Sequence, residues 1–77
     1  MPTVLRRDGF EVVINTHDHA PPHVHVYRGG EAVVINLEDG GLRDIYMKPR
    51  PLRQARELVM EHREFLLAEW ERIRPIP

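Results

Sequence analysis

The sequence predicts an α+β domain, an antiparallel meander of four to five strands with one C-terminal helix packed on one face. Three observations predict it. The first half of the chain is a series of short β-branched segments separated by glycine turn signals. The turns are too short for the crossover that parallel strands require, so the strands must run antiparallel. From Pro51 onward the apolar period lengthens from that of a strand to that of a helix.

The elements follow in order. "TVLR" is a short apolar segment, and Asp8-Gly9 after it is a hairpin turn signal. "FEVVINT" is rich in residues that suit a pleated surface. "HDHAPP" interrupts it, because paired prolines cannot donate to a ladder. "HVHVYR" alternates strictly, Gly29-Gly30 turns the chain, and "EAVVINLE" returns. A third turn at Gly40-Gly41 leads to "LRDIYM", a short fifth strand. Strands therefore occupy about residues 3–47 and a helix about residues 51–74, in a single domain spanning 1–77. Pro51 suits a first helical position and Pro75 stops the helix. Leu52, Ala55, Leu58, Val59, Phe65, Leu66, Trp70 and Ile73 form one stripe, opposite Arg53, Glu57, Glu61, Glu64 and Glu71. His62 and Glu69 interrupt the stripe, as a core-edge histidine and a carboxylate reaching water or as additions to the histidine cluster upstream.

Composition bounds the function. A 77-residue chain buries only about 60% of its unfolded surface, so its own core is thin. It has no cysteine, which removes disulfides and thiolate chemistry and leaves histidine-bound metal or a partner chain as added support. The formal net charge of −1 excludes a strongly basic nucleic-acid binder but not a local basic patch. There is no membrane-length apolar run and no secretory signal, so a cytoplasmic protein is expected. No phosphate loop, nucleophile elbow or helical zinc-protease motif is present.

The chemistry concentrates in "THDHAPPHVHV", which holds His17, His19, His23 and His25. Alternation sends Val24 and Val26 to the core, with Phe10, Val12 and Ile14 and with Val33, Ile35 and Leu37 on neighbouring strands. His23, His25 and Tyr27 then point away from the helix, beside Val13, Ala32 and Val34. A semi-apolar open face of this kind calls for a cover, a second copy or a partner protein. Two imidazoles on one strand, about 6–7 Å apart at the backbone, also suit a divalent ion such as zinc or nickel. His19 across the proline bend is the candidate third ligand, and His17 or Asp18 a fourth. The catalytic reading uses His23 and His25 as general acid and base for metal-independent RNA cleavage, with Arg28 on the phosphate. Arg43, Lys48, Arg50, Arg53 and Arg56 form a basic stretch that points to nucleic acid or an acidic partner.

Three segments carry a resemblance. "MPTVLRRDGF", "HDHAPPHVHV" and "LVMEHREFLLAEWERI" look like an uncharacterised family of small bacterial proteins. Its members open with Met-Pro-Thr-Val, carry a His-X-Pro-Pro-His-Val-His-Val block and end in a helix with Leu-Leu-X-X-Trp. The resemblance covers nearly the whole chain and implies a toxin–antitoxin-like pairing with a second small protein, a cytoplasmic role and no particular activity. Its motif residues fall here on His19, Pro21, Pro22, His23, His25 and Trp70. Relatives often have an acidic residue before the two prolines, whereas Ala20 stands here, and His17 lies outside the motif.

Overall fold

In a computed structural model that describes residues 3–17 and 19–73, five strands form one sheet in the order β1-β2-β3-β4-β5. The strands are β1 (Thr3–Arg7), β2 (Phe10–Val13), β3 (His23–Arg28), β4 (Glu31–Asn36) and β5 (Leu42–Tyr46). Every neighbouring pair is antiparallel, so the meander and its fifth strand form as expected. Asp8 and Gly9 take φ of 52° and 84°, the left-handed pair that a two-residue hairpin needs. Phe10, Val12, Ile14, Val24, Val26, Val33, Ile35 and Leu37 are all buried on one side. Strict alternation in β3 and β4 thus selects the core face, because a slip of one residue would turn every valine outward.

The C-terminal half differs from one continuous helix. It forms α1 (Pro49–Glu61) and α2 (Arg63–Ile73), broken at His62. His62 leaves helical geometry at φ −106° and ψ 23°, and its Nδ1 donates to the Leu58 carbonyl at 2.9 Å. A side-chain donor that competes for the same carbonyl as the backbone N–H is a local reason for the break. The arginine that follows adds a tertiary one, since Arg63 Nε donates to the Leu37 carbonyl beyond the end of β4. Ala55 and Val59 of α1 and Leu66 and Trp70 of α2 are buried, whereas Phe65, expected in the stripe, is exposed. The stop at Pro75 lies outside the described residues.

Helix α1 begins at Pro49 rather than Pro51. Lys48 is its N-cap, and the Glu31 carboxylate accepts the Lys48 backbone N–H at 2.8 Å. A carboxylate there also suits the positive end of the helix dipole. The turn between β4 and β5 is held from the helices: Arg56 Nε donates to the Gly40 carbonyl at 2.9 Å, and Arg63 holds that of Leu37. No described helix is long and apolar enough to cross a membrane.

Candidate functional site

The sheet register builds the open face as rows of cross-strand neighbours. One row reads Thr3, Val13, His25, Val34 and Arg43; the next reads Arg6, Glu11, Tyr27, Ala32 and Tyr46. Each row ends on β5. Its pairing with β4 slips between the Ala32–Tyr46 and Val34–Arg43 pairs, and Asp44, with φ of 50°, is the extra residue. A bulge re-aims side chains locally. Arg43 lies before it, in the unbroken register that pairs Leu42 with Ile35 and Arg43 with Val34, whereas Tyr46 beyond it is turned to the open face opposite Ala32, with Asp44 between the two rows.

His19, Ala20 and Pro21 of the loop after β2 border the same face. With His23, His25, Val34, Arg43 and Asp44 they line a cavity of about 360 Å³. A neighbouring depression of about 300 Å³ is lined by His25, Tyr27, Ala32, Val33, Val34, Asp44 and Tyr46. The two share His25, Val34 and Asp44, so they form one continuous surface, with Arg43 and the histidines at one end and Tyr27 and Tyr46 at the other.

His23 departs from the expected arrangement. It is 6% exposed and packs against Trp70 of α2, with ring centroids 5.2 Å apart. On its other side His25 meets it edge-on at 5.4 Å. Alternation alone sends His23 away from the helices. It opens β3, however, and at that end of the strand the second helix reaches it. Its Nδ1 lies 2.9 Å from the Pro21 carbonyl, which can only accept, so Nδ1 carries a proton. Asn36 pairs with His23 across the ladder, and its Oδ1 is buried with no partner among the described residues.

Other candidates sit elsewhere. Arg28 falls on the helix side of β3, its guanidinium carbon 5.1 Å from the Phe10 ring centroid and Nη1 3.4 Å from Gln54 Oε1. It cannot serve His23 and His25 through the sheet; Arg43 is the guanidinium that lines their cavity. Residue-by-residue alternation from Tyr27 to Arg28 already contains this signal, whereas the bulge that turns Tyr46 to the open face has no mark in the sequence. Arg56 is committed to the β4–β5 turn, while Lys48, Arg50 and Arg53 are exposed at the start of α1. His62 and Glu69 stand apart from the cluster: one bonds Leu58 and the other Arg72. His17 is exposed and does not line the cavity, and Asp18 lies outside the described residues. The open face is also less apolar than expected, because Val13 and Val34 are only 3% and 7% exposed within the single chain.

The metal reading requires His19, His23 and His25 to converge on one point. Among the described residues no three His, Cys, Asp or Glu side chains do so. Sharing a cavity wall is a looser arrangement than a coordination sphere, in which every ligand atom lies about 2.0–2.2 Å from the ion.

The fold and the site together define a class: a small α+β domain with a five-stranded meander, two helices on one face and an imidazole-lined cleft on the other. The chain belongs to a family described as a domain of unknown function, DUF4160, which matches residues 9–71. The match spans the histidine loop, both depressions and Trp70. No curated protein and no solved structure matches it.

Proposed function

We propose that the domain acts by pairing with a second small protein, as one component of a toxin–antitoxin-like module, through the sheet face opposite the helices. The observation that supports this reading is Tyr46. It is 73% exposed on the face of a sheet, beside Tyr27 and Ala32. Tyrosines of this kind are the anchors that protein interfaces bury, since they bring large area and a polar tip at low entropic cost. Arg43, with His19 and His25 nearby, asks the partner for an acidic group next to its apolar one. The test is light scattering of the chain with the small protein encoded beside it. Tyr46→Glu should abolish the complex and Glu64→Arg, on the helix side, should leave it intact. A complex indifferent to Tyr46→Glu would sink the reading.

A second reading, a ribonuclease-type activity, has one observation in its favour: His23, His25 and Arg43 line one cavity. One imidazole would take the 2′-hydroxyl proton as that oxygen attacks phosphorus, and the other would return a proton to the departing 5′-oxygen. Arg43, in place of Arg28, would face the phosphorane charge. Full-length RNA after incubation with the partner-free chain would end this reading; cleavage lost in His25→Ala would support it.

A further inference from the structure

We infer that the continuous surface formed by Arg43, His25, Tyr27 and Tyr46 binds single-stranded nucleic acid, with a base stacked on Tyr46 and the adjoining phosphate on Arg43. The argument begins with the two rows across the sheet. Tyr46 stands at the β5 end of one row and Arg43 at the β5 end of the next, so an aromatic face and a guanidinium are neighbours on one edge. The Asp44 bulge lies between them. Arg43 is exposed and takes part in no ion pair among the described residues.

The two depressions differ in the way a nucleotide differs along its length. The one around Tyr27 and Tyr46 is mainly apolar, which suits a planar base. The one around His19, His25 and Arg43 carries donors, which suits a phosphate. Open antiparallel sheets that stack unpaired bases on exposed aromatics, with cations along the backbone track, are a recurrent solution for single strands. Asp44 borders both depressions, where a carboxylate next to a phosphate-binding arginine can accept from a base amino group. A duplex cannot use this surface, because its bases are already stacked and paired.

This inference goes beyond the pairing reading and needs only the isolated chain. If both hold, partner and strand compete for one face. The experiment is fluorescence anisotropy with labelled eight-nucleotide RNA and DNA strands and their duplexes, in about 50 mM salt. Saturable binding of either single strand, tighter than that of the duplex, is expected, and the RNA and DNA arms tell which sugar is preferred. Tyr46→Ala should weaken binding about tenfold and Tyr46→Phe should restore it, since stacking needs the ring and not the hydroxyl. Arg43→Ala should reduce the slope of log affinity against log salt by about 0.7, the loss of one phosphate contact on a single strand. Both side chains are exposed, so these variants keep the core intact. No binding at several hundred micromolar overturns the inference, as does binding that both Tyr46→Ala and Arg43→Ala leave unchanged or that favours the duplex. A chain that binds its protein partner but no strand overturns the inference while leaving the pairing reading standing.

Discussion

Trp70 and His23 meet with ring centroids 5.2 Å apart and planes inclined at 52°, tying the end of α2 to the first residue of β3. Trp70 is also part of the apolar core and only 3% exposed. One side chain therefore fastens the helical half of the chain both to the core and to the histidine cleft. Truncation should cost about 3–5 kcal/mol, the range for a large aromatic lost from a core. That is a large share of the roughly 5–15 kcal/mol a domain has. Urea unfolding of Trp70→Ala should show it; a midpoint unchanged from the parent chain would mean that α2 is dispensable to the fold.

His62 should act on helix geometry and not on the histidine cleft. Its Nδ1 bond to the Leu58 carbonyl closes the end of α1. His62→Ala should cost about 1 kcal/mol, the usual net worth of such a bond. Chemical shifts of His23 and His25 should stay in place in the variant, and a shift at those rings would place His62 in the cleft after all.

The Glu69–Arg72 pair predicts an acid-side loss of stability. Arg72 donates Nε and Nη2 to the two Glu69 carboxylate oxygens at 2.9 and 2.8 Å. That hydrogen bonding, with partial desolvation opposing it and the guanidinium charge adding to it, holds the Glu69 carboxyl below its ordinary value. A depressed carboxylate stabilises the fold above its unfolded pKa, and the contribution disappears as pH falls through the lower folded value. The unfolding free energies of the parent chain and Glu69→Gln should therefore differ near neutral pH and converge on acidification. Curves that stay parallel down to pH 3 would contradict the assignment.

Gly40 should resist substitution for two separable reasons. Its φ is +72°, and a Cβ there would stand 2.7 Å from Arg56 Nη2. Gly40→Ala should cost about 1–3 kcal/mol from backbone strain and displacement of the arginine that holds the turn. In an Arg56→Ala background the clash is gone and only the strain remains. A double-mutant cycle should thus return a non-zero coupling energy, and strict additivity would show that the arginine simply moves aside.

Residues whose environment is set within a few positions along the chain were legible. Val24 and Val26 inward with His25 and Tyr27 outward follows from strand period alone, and Asp8-Gly9 needs only local backbone sterics. His23 obeyed the same alternation but is buried by Trp70, far along the chain. Arg28 lies on the face opposite His25, beside Phe10 and Gln54, because adjacency in sequence is opposition in a strand. Tyr46 reaches the open face through a bulge, and nothing in "LRDIYM" marks Asp44 as the residue that takes a positive φ.

The sequence by itself determined the meander, its hairpins, the core face of the sheet and the presence of histidines on the strand that carries the cleft. These follow from period, propensity and turn sterics, all short-range. The tertiary structure decided the break at His62, the burial of His23 under Trp70 and the company of Arg43, Asp44 and Tyr46 around His25. Each of these depends on contacts between segments distant in sequence, where packing and register choose among side chains that local rules treat as equivalent.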